Sequence, residues 1–352
     1  MNEERLMEFL GRFVSDVGAT ITAGGVVIGD RLGLYQALAD RPHLPDELAG
    51  RTGTAPRYVE EWLRGQAAGG YVEYDAATGR YFLTEEQAYA LTDPDGPVLG
   101  GFQLALGALK AEPRITEAFR TGKGFGWHEH DGDVFAGCER FFRFGYTHSL
   151  VGEWLPALDG VEGALRSGIR VADVGCGHGA STTIMAQAFP ASAFVGWDYH
   201  GASVGEARRR AEALGLAGRA EFRVGSGQTF DGGPYDLVTT FDALHDMGDP
   251  LGAARRVREQ LSDDGTWMIV EPAAGSSLSE NLNPVGRAYY GFSAFLCVPN
   301  ALSQEGGYAL GAQAGEEPVR RLAAEAGFGR FRRVAQTPFN IVYEARPGGV
   351  TV

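Results

Sequence analysis

The chain has 352 residues, 44% of them hydrophobic and 22% charged, the make-up of an ordinary globular protein long enough for two domains. Its net charge of −14 would repel a phosphate backbone unless basic residues were concentrated locally, so nucleic acid is a poor expected partner. Cys138, Cys176 and Cys297 stand far apart with no CxxC pair, which argues against a disulfide framework or a structural zinc site and fits a reducing cytoplasm. No apolar run approaches the roughly 18 residues of a membrane span, and the acids in the first ten residues do not suit a signal peptide.

Residues 1 to about 100 read as helices followed by a short hairpin. Leu32, Leu34, Tyr35 and Leu38 lie close to the spacing of one helical face. Pro45 and the acids behind it open a second helix, and Pro56 opens a third bearing Tyr58, Val59, Trp62 and Leu63, stopped by Gly69-Gly70. Two β-rich runs, 71–74 and 80–83, flank a loop at 75–79. Three helices and a hairpin predict a winged helix-turn-helix. Residues 101–160 read as a helical linker and substrate cap rich in aromatics, among them Phe125, Trp127, Phe135, Phe144 and Tyr146. From about 161 onward strands alternate with helices: strands at 170–174, 193–197, 221–224, 235–240 and 266–270, helices at 181–189, 203–214 and 250–261. That rhythm predicts a parallel sheet covered on both faces, a Rossmann-like α/β domain. Two last strands, at 331–334 and 339–344, form an expected antiparallel C-terminal pair.

The first strand of this domain ends in Asp173-Val-Gly175-Cys-Gly177-His-Gly179, just ahead of a helix. Glycines there let the chain turn sharply and let a ligand approach the backbone, while the first helical amides face an electron-rich group. Asp198, at the end of the second strand, is placed to accept ribose hydroxyls. Gly175-x-Gly177-x-x-Ala180 also satisfies a tolerant dinucleotide fingerprint. An acid at 173, however, has no role beside a pyrophosphate, whereas a methionine-bearing cofactor offers it an ammonium group.

On these residues the chain resembles the class I S-adenosylmethionine-dependent methyltransferases, and most of its length resembles the winged-helix small-molecule O-methyltransferases of bacteria and plants. The resemblance implies that Asp173, Gly175, Gly177 and Gly179 hold the methionine part of S-adenosylmethionine and that Asp198, with Tyr199 beside it, holds the ribose. Ser226 and Gly227 would flank the adenine, and Asp242 and Tyr146 complete the expected cofactor set. Ser226 departs from the family, which often has Asp there.

The fourth strand runs into Phe241-Asp-Ala-Leu-His245-Asp246, at the carboxyl end where ligands of open α/β sheets bind. An imidazole suits proton removal near neutral pH. His245 matches the family's catalytic histidine and Glu271 its supporting acid. The family's second supporting acid falls near Gln313, with Glu316 and Glu317 close by, and its tryptophan after His-Asp is Met247 here. The plainer alternative is a histidine that caps a loop or packs against the cofactor.

Other features carry duller readings. Trp127-His-Glu-His130, Asp131 and Asp133 read as a solvated loop or part of a lid, and no metal is expected. Arg51, Arg57 and Arg64 surround the recognition-helix position, but residues 30–90 hold ten acids against six arginines, so homodimerisation is the expected use of this segment. The aromatics of 281–310 and the glycines at 306 and 307 suit a substrate cover. The expected protein is a cytoplasmic homodimeric enzyme. It would move a methyl group to a small apolar or aromatic acceptor, most simply at a hydroxyl. A ligand-sensing winged-helix regulator and a non-methylating enzyme on the same fold remain as alternatives.

Overall fold

The computed structural model describes residues 1–94 and 96–348. They gather into two compact units, residues 1–106 with 136–144 and residues 107–135 with 145 onward. The stretch expected as one linker, 101–160, is therefore shared between the two units.

In the first unit α1 (Glu3–Arg31) opens on an Asn2 cap, whose side chain accepts the Arg5 N–H at 3.0 Å, with Glu3 and Glu4 in the favourable first turn. The expected helix through Leu32–Leu38 is broken by Gly33, at φ +67°, and only α2 (Leu34–Leu38) continues. Then come α3 (Pro45–Thr52) and α4 (Pro56–Ala68), each with proline at its start as anticipated. The hairpin of β1 (Glu73–Asp75) and β2 (Arg80–Phe82) is antiparallel and shorter than expected. Next are α5 (Glu85–Thr92), with a Thr84–Gln87 capping box, and α6 (Pro97–Leu109). Val26, Leu34, Tyr35, Leu38, Leu48 and Leu63 form the core, and Tyr35 donates its buried hydroxyl to Gln66 Oε1. Along α1, Met7, Leu10, Val14, Val17, Ile21 and Ile28 recur at heptad spacing, yet they are 41–76% exposed.

Arg51 pairs with Asp40, Arg57 with Glu61 and Arg64 with Glu60. The cations around α4 thus meet neighbouring acids, which lowers the local positive potential a phosphate backbone would need.

The second unit takes in the end of α6, from Gly107, and then α7 (Glu112–Thr121). Helix α8 (Gly132–Gly145) passes from the second unit into the first and back. A wide helical turn at Tyr146–Trp154 and α9 (Val161–Ser167) lead into the sheet. Its elements in chain order are β3 (Arg170–Val174), α10 (Ala180–Ala188), β4 (Ala193–Asp198), α11 (Gly201–Ala213), β5 (Ala220–Val224), β6 (Tyr235–Phe241), α12 (Pro250–Gln260) and β7 (Leu261–Pro272). An insertion with α13 (Pro284–Phe292), a wide turn at Ser293–Cys297 and α14 (Val298–Ser303) precedes α15 (Glu316–Glu325), β8 (Arg330–Gln336) and β9 (Asn340–Arg346).

The seven strands lie in the order β5-β4-β3-β6-β7-β9-β8, all parallel except β9, which runs antiparallel to both neighbours. Trp267, Ile269, Val238, Tyr235 and Tyr343 are buried in its core. Strand order reverses between β3 and β6, which opens a crevice at their carboxyl ends. No helix among the described residues is long and apolar enough to cross a membrane.

Candidate active site

The loop after β3 carries Gly175, Gly177 and Gly179 at φ +81°, +51° and +74°, in left-handed backbone where an L side chain is strained. A Cβ on Gly175 would meet Ala243 at 2.6 Å, so this glycine lets the loops after β3 and β6 touch. A Cβ on Gly179 would strike the Phe222 ring at 2.7 Å, whereas one on Gly177 would meet nothing within 4 Å. Two glycines therefore serve packing, and Gly177 faces open space.

The loop is tied to the end of β4. Gly175 and Cys176 both donate to the Trp197 carbonyl, at 2.7 and 3.0 Å. Asp198 accepts the Gly177 N–H on Oδ2 (2.9 Å) and the His200 N–H on Oδ1 (2.8 Å). Each oxygen keeps a lone pair, and burial raises the carboxyl's affinity for a proton.

Asp173 sits differently from the expected ammonium contact. It is 1% exposed. Its carboxylate accepts Ser181 Oγ at 2.7 Å, Thr182 Oγ1 at 2.6 Å and Thr239 Oγ1 at 3.1 Å. It lies under the glycine loop and joins β3, the first turn of α10 and β6. Burial raises its proton affinity as well, against the pull of the three hydroxyls.

At the end of β6, Asp242 is a non-glycine residue at φ +49°, backbone strain of a kind that clusters at functional sites. Tyr146 donates its hydroxyl to Asp242 Oδ2 (3.1 Å) and Asn340 donates its amide to Oδ1 (2.7 Å). Burial first, and then Glu271, push the Asp242 carboxyl well above the usual carboxylate range. Tyr146 is thus placed at the crevice, while Phe144, expected beside it, belongs to the other unit.

His245 and Glu271 come together as expected: Nδ1 lies 2.7 Å from Glu271 Oε2, and both residues are buried. Burial disfavours the imidazolium, but Glu271 and Asp246 outweigh it and raise the proton affinity of His245 well above that of free imidazole. Gln313 is not brought in as a second support, since its amide donates to the Ala273 carbonyl at 3.0 Å. Glu316 pairs instead with Arg320 and Arg333. Asp246 takes the nearer position, with Oδ1 3.2 Å from His245 Nε2.

Ser226 follows β5, and its hydroxyl lies 3.1 Å from that of Thr229; a Cβ on Gly227 would press on Met247 at 2.9 Å. Tyr199 is 41% exposed beside Asp198.

The two aromatic stretches meet within this unit. Phe125 donates its N–H to the Pro299 carbonyl (2.8 Å), and Trp127 donates its own to Asn300 Oδ1 (2.9 Å). Phe135 stacks on His200 at 4.8 Å and on His178 of the glycine loop at 6.4 Å. Phe135 thus brings this segment against the glycine loop and the turn after β4. His130 is buried against Phe125, and burial lowers its pKa to about 4, while His128, Glu129 and Asp131 around it are exposed. Sequence reasoning passed over His200, Asn300 and Asn340, because their partners stand on other elements.

Residues 165–324 match the family model of a methyltransferase domain, and residues 20–93 match that of the Rv2258c-like winged helix-turn-helix domain. The chain thus matches a methyltransferase domain behind a winged helix-turn-helix domain, and S-adenosylmethionine is the cofactor that goes with such a methyltransferase domain.

Among solved structures, mitomycin 7-O-methyltransferase MmcR is similar over 97% of this chain and 99% of its own, at 19% identity and a TM-score of 0.70. Human N-acetylserotonin methyltransferase in complex with SAM matches over 99% of both chains, at 15% identity and a TM-score of 0.71. An O-methyltransferase family protein from Burkholderia thailandensis matches over 97% and 98%, at 17% identity and a TM-score of 0.70. At these identities the likeness is one of fold.

The crevice fits that cofactor. Open space lies over Gly177, helical amides begin at Ala180, and Asp198 retains acceptor capacity at the loop.

Proposed function

We propose that the protein transfers the methyl group of S-adenosylmethionine to a hydroxyl of a small apolar or aromatic molecule, with His245 as the base. The buried His245–Glu271 pair, two residues beyond the Ala243 that touches the glycine loop, carries this reading. The cofactor supplies an electrophilic methyl on a sulfonium whose leaving group is neutral. Gly175, Gly177 and Gly179 shape its seat, Asp198 accepts the ribose hydroxyls, and Tyr199, Ser226 and Gly227 border the base. Asp173 acts through the loop by fixing β3 to α10. Asp242, held by Tyr146 and Asn340, faces the methionine end.

Glu271 orients the imidazole and stabilises the positive charge that His245 gains on taking the acceptor's proton. The ring cover over the loop excludes water and aligns acceptor, methyl and sulfur. Its aromatics favour an apolar or aromatic acceptor. The O-methyltransferase names among the structural neighbours favour oxygen as the acceptor atom.

The exposed heptad stripe of α1 supports a homodimer, since a chain that repeats apolar residues at three- and four-residue steps can pair with its own copy. Three unbridged cysteines accord with a reducing cytoplasm. The test is incubation with methyl-labelled S-adenosylmethionine and a panel of hydroxylated aromatic compounds. Label moving to an acceptor in the wild type but not in His245→Ala supports the reading. Label that never leaves the cofactor overturns it.

A further inference from the structure

Beyond the His245–Glu271 pair lies a second set of groups gathered on the same imidazole. A ring nitrogen of His245, a carboxylate oxygen of Asp246 and Cys297 Sγ all lie within 4.8 Å of one another. His245 and Cys297 are buried, at 4% and 6% exposure. Cys297 closes the wide helical turn 293–297, an irregularity often found at functional sites.

The local electrostatics call for a cation. When Nδ1–H is donated to Glu271, Nε2 turns its lone pair outward, and Asp246 Oδ1 is 3.2 Å away. A cation between them, a proton or a metal ion, joins the two. Oδ1 is itself screened from solvent, and the Cys297 thiol neighbours both His245 and Asp246. Glu271 Oε2 and Asp246 Oδ1 flank the two ring nitrogens of the same imidazole, at 2.7 and 3.2 Å.

We infer that His245 Nε2, Asp246 Oδ1 and Cys297 Sγ form a binding site for a divalent transition-metal ion of the zinc type. Nitrogen, oxygen and thiolate sulfur are the donors zinc takes, with bonds of about 2.0–2.1 Å to nitrogen and oxygen and about 2.3 Å to sulfur. At a tetrahedral angle such bonds put nitrogen and oxygen about 3.3 Å apart, close to the spacing of Nε2 and Oδ1. Glu271 on Nδ1 is then the outer carboxylate that fixes the tautomer and orientation of a ligating histidine. Three protein ligands leave a fourth position for water or another donor. A metal there occupies the lone pair that would take the acceptor's proton. The metal-loaded enzyme is therefore slow in methyl transfer, a consequence that rests on the function proposed above.

The test uses reduced, full-length protein stripped with chelator and titrated with Co2+, whose thiolate complexes absorb by charge transfer in the near ultraviolet. The expected result is one charge-transfer band that saturates at one Co2+ per chain and is bleached by Zn2+. Cys138→Ser keeps the band and Cys297→Ala abolishes it. Asp246→Asn, nearly isosteric, weakens Co2+ binding at least tenfold. Circular dichroism and thermal melting show that each variant is folded. Absence of the band in the wild type, or its persistence in Cys297→Ala, overturns the site. The optical signal needs no methyl acceptor. A band in a protein that transfers no methyl keeps the site and removes the function, and a band without inhibition by Zn2+ keeps the site and removes the base.

Discussion

Glu271 Oε2 stands 2.7 Å from His245 Nδ1, and this one contact joins the segment after β6 to the end of β7. It orients an imidazole whose proton affinity two acids raise against the effect of burial. In His245→Ala we expect kcat at saturating acceptor to fall by about 10²–10⁴-fold, with little change in cofactor affinity. Glu271→Gln keeps the shape but loses the charge and should cost about tenfold or more. Steady-state kinetics alongside calorimetry with S-adenosylhomocysteine separate the two effects. A His245→Ala enzyme within a few-fold of wild type would remove the base.

Gly177 and Gly179 should fail in different ways. Gly177→Val places its side chain in open space, so the fold bears only about 1–2 kcal/mol of backbone strain while the cofactor is shut out. Gly179→Val drives into the Phe222 ring and adds about 1–3 kcal/mol of overpacking to the same strain. Calorimetry should show no S-adenosylhomocysteine binding by a folded Gly177→Val, and the lower melting temperature should belong to Gly179→Val. The reverse pattern would mean that Gly177 does not face the cofactor.

Asp198→Asn leaves one oxygen and one amide where two oxygens now accept from Gly177 and His200. One buried N–H of the loop then meets a donor. The expected outcome is at least a tenfold loss of cofactor affinity, about 1.4 kcal/mol. Unchanged affinity would count against this carboxylate as the ribose ligand.

His130 gives a pH prediction. Its folded pKa is lowered to about 4 from an unfolded value of 6.5, so below 6.5 the unfolded chain takes up a proton that the folded chain refuses. Stability contributed by the neutral ring is complete above pH 6.5. It falls as pH drops toward 4, by roughly 3 kcal/mol at most. His130→Phe keeps a ring against Phe125 and removes this loss. Melting temperatures measured from pH 7.5 to 4.5 should therefore diverge, with the variant gaining on the wild type as acid is added. Parallel curves would show that the ring is not desolvated.

The α1 stripe predicts a dimer in solution. Val14→Glu with Ile21→Glu puts charge on two heptad positions that are 64% and 76% exposed, so the isolated fold should be little changed. Size-exclusion chromatography with light scattering should give a dimer for wild type and a monomer for the double variant. A monomeric wild type would remove the proposed pairing.

Much of this architecture could be read from residue order, for local reasons. Pro45 and Pro56 start helices because each has a fixed φ and lacks an N–H that a first turn would leave unpaired. The strand-glycine-helix pattern at Asp173–Gly179 marked a ligand loop, since only glycine takes up left-handed backbone there without strain. His245 follows the end of β6 and Glu271 lies at the end of β7, where a family resemblance also pointed, and the ends of parallel strands converge on one crevice. Long-range placement had no such local signal. Asp173 turns inward because hydroxyls from α10 and β6 meet it, and no spacing within the loop announces that. Phe135 reaches His178 and His200, and Cys297 reaches His245, only once helices and insertion fold back over the sheet. The linear chain specified the seat for a cofactor, through backbone rules that act over a few residues. Which side chains face that seat, which lie beneath it and which cover it followed from packing between distant segments, where burial and hydrogen-bond partners are assigned.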